Sequence, residues 1–228
     1  MKVNFLSASD GTPLAKIFEE IAPGTYKETS YPHVAKFNSI ERDVTSLQHF
    51  YDLIVSCAAE GLCLLKGTLD SVLSNESRAG HTSATAMTTW ICLDIDYNVT
   101  GQTPRAFLES VAPEFKDVSF IFQKSSSMGI KHHTGWRGHF FILIDTSLSP
   151  QALKQWLIER NLNCPTLRPN IGISASGGSL TYPLDVTTCQ NDKLLYITNP
   201  QCIGFDDPIE ERFTLDQGAE EAACLGGN

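Results

Sequence analysis

Apolar positions change period along the chain. Val44, Leu47, Tyr51, Ile54, Val55 and Ala58 recur at the spacing of one helix face, and Gly61 supplies a stop. Leu14, Ile17, Phe18 and Ile21 follow Thr12-Pro13 at the same spacing, which predicts a capped helix there. Between the two, "GTYKETSYPHVAKFNS" reads as loop and short strand, and "LCLLKG" further on as a short buried strand. After the polar stretch "NESRAGHTSATAM" the rhythm becomes regular. Trp90 to Asp96 is a strand. Thr103-Pro104 opens a helix through Phe107 and Val111, which Pro113 stops. "VSFIFQK" is a strand, "SSSMGIKHHTGWR" a polar connection and "GHFFILID" a strand. Ser149-Pro150 opens a helix with Leu153, Trp156 and Leu157 on one face, and "KLLYITN" is the last strand. The order β-α-β-β-α-β predicts an α+β fold with a split βαβ sheet of the ferredoxin or RRM type. We expect an N-terminal α/β lobe over residues 1–89, the sheet lobe over 90–205, and a flexible acidic tail over 206–228. "NCPTLRPNIGISASGGSLTYPLDVTTCQ" is an insertion without assigned structure.

Alternation along the first strand of that sheet separates two sets of side chains. Ile91, Leu93 and Ile95 point to a helix-covered core; Trp90, Cys92, Asp94 and Asp96 point to the opposite, open face. Asp94 and Asp96 therefore project together, and two carboxylates so close repel unless a proton or cation lies between them. Magnesium takes such oxygen ligands, and two-metal sites use them in phosphoryl transfer. A strand end that merely meets solvent gives the same D-x-D. In the split βαβ order the first and third strands are antiparallel neighbours, so His139 falls beside the two acids, on the face it shares with Phe141 and Leu143. Ser125, Ser126, Ser127 and Gly129 offer hydroxyls and backbone N–H groups to phosphate oxygens. Lys124, Lys131 and Arg137 add positive charge.

Composition bounds the rest. A chain of 228 residues that is 42% hydrophobic can build a substantial core. It contains no run near the roughly 18 apolar residues of a membrane span. The opening "MKVNFLSASDGTPLAK" lacks the apolar stretch of a signal peptide, so we expect a soluble protein of the cytoplasm. Seven cysteines without a Cys-x-x-Cys pair read as reduced, packed thiols and give a zinc site little support. A net charge of −9 argues at first sight against a nucleic-acid binder. Much of that charge lies after Phe205, in Asp206, Asp207, Glu210, Glu211, Asp216, Glu220 and Glu221, opposed by Arg212 alone. From Lys116 to Arg137 the balance turns positive, a local pattern suited to a polyanion and also to a solvated loop.

"LDID", then "SSSMG" with "RGHFFIL", then "PLD" resembles the three motifs of the archaeo-eukaryotic primase superfamily. The upstream "LLKGTLDSVLSNESRAGHT" is similar to the primase-polymerases of viruses and phages, whose primase domain often precedes a helicase. The resemblance spans roughly residues 60–200. It implies a DNA primase-polymerase, a template-dependent nucleotidyltransferase. Two magnesium or manganese ions would sit on Asp94, Asp96 and Asp185, with His139 on the incoming nucleotide's phosphates. Ser125, Ser126, Ser127, Lys124 and Arg137 would lie near the nucleotide, and Arg78 would reach the triphosphate or template, unless it pairs with Glu76. Implied partners are a single-stranded DNA template, ribo- or deoxyribonucleoside triphosphates, and a helicase domain or subunit; no membrane is implied. The chain departs from the family in the length of "MGIKHHTGWRG", which leaves the acting serine open and lets His132 or His133 compete. Two other readings stand beside this one. One is an RRM-like nucleic-acid-binding module without catalysis; the other is a metal-dependent nuclease or replication-initiator nickase, for which "KHHTG" is a poor fit.

Overall fold

The computed structural model describes residues 1–131 and 133–225 as a mixed α+β fold. The elements are β1 (Lys2–Ala8), β2 (Ile17–Ala22), β3 (Thr25–Thr29), β4 (Phe37–Asp43), α1 (Leu47–Ala59), β5 (Cys63–Leu65), β6 (Thr88–Val99), α2 (Pro104–Val111), β7 (Phe120–Lys124), β8 (Trp136–Leu148), α3 (Pro150–Asn163), β9 (Gly172–Ile173), β10 (Leu180–Thr181), β11 (Leu194–Leu195), β12 (Gln201–Ile203), β13 (Phe213–Asp216) and β14 (Ala222–Ala223). The three α-helices among the described residues start on a hydroxyl cap. Ser46, Thr103 and Ser149 accept from the backbone N–H of His49, Ala106 and Ala152 at 3.1, 3.2 and 3.1 Å. In α2 and α3 a proline follows the cap, where its missing N–H costs nothing.

The main sheet is built on β8, which pairs antiparallel with β6 and with β7 and parallel with β14, while β13 extends the sheet beyond β7. On one face Ile91, Leu93 and Ile95 meet Phe140 and Ile142 of β8, Phe107 of α2, and Leu153 and Leu157 of α3. Burying an aliphatic side chain is worth about 1.5–3 kcal/mol. A one-residue slip of β6 would move Ile91, Leu93 and Ile95 to the opposite face and turn the two aspartates into this core, so the burial locks the register that places the acids. The other face is covered as well. Trp90, Cys92, Ile121 and Phe141 pack against Phe50 and Ile54 of α1 and against Val3, Phe5 and Leu64 of a second sheet, ordered β11-β5-β1-β4. The face expected to be open is therefore a second core along much of its length, and it reaches solvent near Asp94, Asp96 and His139. Cys57, Cys63, Cys92, Cys164 and Cys189 are buried.

Three expectations are corrected. Residues Ile17–Ala22 form a strand instead of a helix, paired antiparallel with β3 and parallel with β12. Leu14 and Phe18 are buried, but Ile21, the fourth position of the supposed helix face, is 60% exposed. The "KLLYITN" segment does not complete the main sheet. Only Leu194–Leu195 is strand, and it pairs with β5, because Leu195 and Ile197 are drawn into the second core. The edge of β6 opposite β8 instead meets Pro183–Asp185 through Asp96 N–H to Pro183 O (3.2 Å) and Asp185 N–H to Asp94 O (3.0 Å). The acidic segment is not a free tail either. Phe213–Asp216 adds a strand to β7, and Ala222–Ala223 pairs with β8. Arg212, 4% exposed, is held by Asp207 at 2.6 and 2.7 Å. No described helix is long and apolar enough to cross a membrane.

Candidate functional site

A row of paired residues crosses the main sheet where its second face opens: Asp94 on β6 pairs with His139 on β8, which pairs with Gln123 on β7, which pairs with Phe213 on β13. Side chains in such a row lie side by side. His139 Nε2 is 3.3 Å from Asp94 Oδ1, and Nδ1 is 2.8 Å from Gln123 Oε1. The Gln123 amide nitrogen donates to the carbonyls of Tyr196 and Ile197, at 3.2 Å each. Gly138, next to His139, lets β7 and β8 come together, since a Cβ there would run into the Gln123 carbonyl.

The extended edge of β6 brings the third acid. Asp94, Asp96 and Asp185 offer carboxylate oxygens that all lie within 4.8 Å of one another. Asp185 is oriented by its own turn: Oδ1 accepts from Thr187 N–H at 2.8 Å, and Oδ2 accepts from Thr187 Oγ1 at 2.6 Å and from Lys193 Nζ at 2.9 Å. A carboxylate has about four lone-pair sites, so Oδ1 keeps capacity for a further cation. Burial works against ionisation of Asp185, but the Thr187 and Lys193 hydrogen bonds outweigh it and hold its pKa below the usual value. Asp96 is different. Its side chain is exposed overall, but desolvation of the carboxyl, followed by the charges of Asp94 and Asp185, pushes its pKa up to about 6 against the pull of Arg137 and His139. Three carboxylate donors so close together, one of them held against its neighbours' charge, could hold a metal ion.

Beside the acids lies a cleft of about 330 Å³. Asp94, Asp96 and His139 form one wall, and Ser125, Ser126, Ser127, Arg137, Lys16 and Lys193 add hydroxyls and positive charge. Tyr31 stacks on Tyr196 with ring centres 3.8 Å apart, and its hydroxyl is 3.4 Å from Ser126 Oγ. Arg137 reaches back to the Asp96 carbonyl. The serine loop is held from behind by Arg212, which donates to the carbonyls of Ser125 (2.6 Å) and Met128 (3.3 Å).

The structure thus gathers Asp94, Asp96, Asp185, His139, the three serines and Arg137. It does not gather Lys124, which lies one strand position after Gln123, faces away from the cleft and bonds the Glu211 carbonyl at 2.8 Å. Nor does it gather Arg78, whose guanidinium bonds the Asp192 carbonyl at 2.5 Å outside the cleft lining. Lys131 is paired with Glu28 at 2.5 Å. His133 is exposed, and His132 lies outside the described residues. Lys66 is 1% exposed, bonded to Thr88 Oγ1 and Trp90 O at 3.0 and 3.2 Å, with its pKa lowered by burial to about 8. It tethers β5 to β6. Sequence reasoning missed Gln123, Lys193, Lys16, Tyr31, Tyr196 and Arg212. Gln123 carried a usable signal, a polar residue interrupting the apolar run of β7. Lys193 carried none, because only the fold brings it back to Asp185. Comparison of the chain with protein-family models, with curated proteins and with solved structures finds no match.

Proposed function

We propose that the chain is a template-dependent nucleotidyltransferase, a DNA primase-polymerase catalytic unit of the archaeo-eukaryotic primase type, built on a split βαβ sheet. The observation that carries the reading is the convergence of Asp94, Asp96 and Asp185 within 4.8 Å at the rim of a cleft lined by serines and cations. Bound magnesium or manganese would neutralise charge on the phosphates and polarise the attacking hydroxyl. The chain's own residues do the positioning. Ser125, Ser126 and Ser127 donate to phosphate oxygens, while Lys16, Lys193, Arg137 and protonated His139 balance the triphosphate's charge. A 3′-hydroxyl oxygen bonds to the α-phosphorus, the bond from that phosphorus to the bridging oxygen breaks, pyrophosphate leaves with the electron pair, and the hydroxyl proton passes to water. The burial of Trp90 and Phe141, at 3% and 0% exposure, weighs against an RRM-like module, which stacks bases on exposed sheet aromatics.

The test is incorporation of labelled nucleotides on a primed single-stranded template with magnesium or manganese. Asp94→Ala and Asp96→Ala should each lower the rate by at least about a hundredfold, the scale of losing a group that stabilises developing charge, while the thermal unfolding profile is kept. Full activity in both variants ends the proposal. Plasmid nicking without incorporation by the wild-type chain would assign the same carboxylates to a nuclease.

A further inference from the structure

Asp96 stands at the rim of two clefts. One is the cationic cleft described above. The other, of about 450 Å³, is lined by Asp96 and Asp185 together with Tyr97, Asn170, Leu180 and Tyr182. Their chemistries are opposite. The first offers lysines, an arginine, a histidine and serine hydroxyls; the second, the shared Asp96 and its own Asp185 aside, offers uncharged groups that include two tyrosines. A triphosphate is matched by the first and not by the second. The short hairpin of β9 and β10 borders the second cleft, and its paired residues Ile173 and Leu180 are 72% and 53% exposed, an apolar pair held out in water.

In-line displacement puts the attacking and leaving oxygens on opposite sides of the phosphorus. With the departing pyrophosphate in the cationic cleft, the attacking hydroxyl approaches from the other side of the phosphorus, and the second cleft meets the first at Asp96. We propose that this second cleft receives the 3′ end of a single-stranded nucleic acid, the acceptor of the transfer. Tyr182 stacks on its last base; Tyr97, whose ring packs edge-on against Phe107, backs the cleft, and the apolar pair of the β9–β10 hairpin forms the side wall. Stacking tolerates any base, as a strand end of variable sequence requires. The inference rests on the nucleotidyltransferase reading and adds where the second substrate enters.

Its test is the fluorescence anisotropy of a 5′-fluorescein single-stranded DNA bearing a 3′-hydroxyl, titrated with the full chain in magnesium without nucleotide. Alongside it, deoxyadenosine triphosphate binding is followed by calorimetry. Tyr182→Ala should weaken DNA binding by about fivefold or more, the scale of one lost base stack. The double variant Ile173→Ser, Leu180→Ser, whose positions are exposed and so leave the core intact, should weaken it in the same direction. Triphosphate affinity should stay within about twofold of wild type in both. DNA binding unchanged in both, by a chain that incorporates nucleotides, overturns the acceptor cleft and leaves the enzymatic reading standing. A wild-type chain that incorporates nothing overturns the reading itself.

Discussion

Both ends of the Gln123 amide are committed. Its nitrogen donates to two backbone carbonyls, so only the oxygen faces His139 Nδ1. A carbonyl oxygen cannot donate, and Nδ1 must therefore carry the proton, leaving Nε2, beside Asp94, as the nitrogen that changes state. Burial disfavours the charged ring, but the Asp94 carboxylate, seconded by Asp96, outweighs it and raises the His139 pKa. Gln123→Leu removes the acceptor. It should shift the ¹⁵N signals of His139 away from the Nδ1–H form and raise KM for nucleotide by about fivefold, equivalent to one hydrogen bond of ~1 kcal/mol, with kcat little changed. Gln123→Glu, which restores an acceptor, should recover the tautomer; unchanged ¹⁵N signals in the leucine variant refute the assignment. At Asp96 the raised pKa sets a pH dependence. Its proton stabilises the metal-free fold fully below the unfolded carboxyl value of about 3.9, and that contribution is lost as pH rises through about 6. His139, also raised, acts in the same direction at higher pH. Asp185, lowered, loses its contribution only under more acid conditions. A divalent cation takes the place of the proton, so the gain in melting temperature from magnesium over EDTA should be small at pH 5 and larger at pH 7.5. An equal gain at both pH values means that the cation does not compete with protons at Asp96.

Three strands carry the site, and the spacing of two of them, β7 and β8, depends on one missing side chain. Gly138 pairs with Ile95 on one side and Lys124 on the other, and its Cα hydrogen faces the Gln123 carbonyl where any Cβ would collide. Gly138→Ala must push β7 away from β8 at the row that holds His139. Overpacking of this kind costs about 1–3 kcal/mol, read as a lower urea midpoint, and the ¹⁵N signals of His139 should move as its bond to Gln123 lengthens; a variant with wild-type midpoint and wild-type signals shows that the strands have slack. The same elements explain what could be read beforehand. α2 and α3 were legible because cap, proline and apolar spacing agree, and β6 because strict alternation separates Ile91, Leu93 and Ile95 from the acids. Asp185 was reached by resemblance alone, since its turn joins β6 through long-range backbone bonds that leave no local pattern. Leu14 to Ile21 fit a helix by spacing, and tertiary pairing with β3 and β12 decided otherwise. Of the last predicted strand, Lys193 to Asn199, only Leu194–Leu195 forms one, and its partner was not foreseen, because strand pairing is chosen by the core it closes.

At the scale of the molecule the acidic C-terminal segment works as scaffold. Its composition pointed to disorder, yet Phe213 and Leu215 alternate with polar residues as a strand requires, and Phe213 is buried beside β7. The segment also delivers Arg212 to the back of the serine loop, where the guanidinium satisfies two carbonyls and an acid in a nearly water-free position. Breaking a buried pair costs about 3–5 kcal/mol, reduced here because Asp207 is 25% exposed on its side chain. Arg212→Met should therefore lower stability by about 2–4 kcal/mol, keep a cooperative urea transition, and raise amide exchange across Ser125 to Met128. Ending the chain after residue 205 removes this clamp together with β13 and β14, and the losses become comparable to the whole folding margin of about 5–15 kcal/mol. The shortened chain should lose its cooperative urea transition altogether. If it instead unfolds at the wild-type midpoint and still incorporates nucleotides, β13 and β14 are accessory strands and the serine loop holds its shape unaided. The contrast with Arg212→Met then separates the two roles, since Arg212 bonds the carbonyls of Ser125 and Met128 while β13 and β14 pair with β7 and β8.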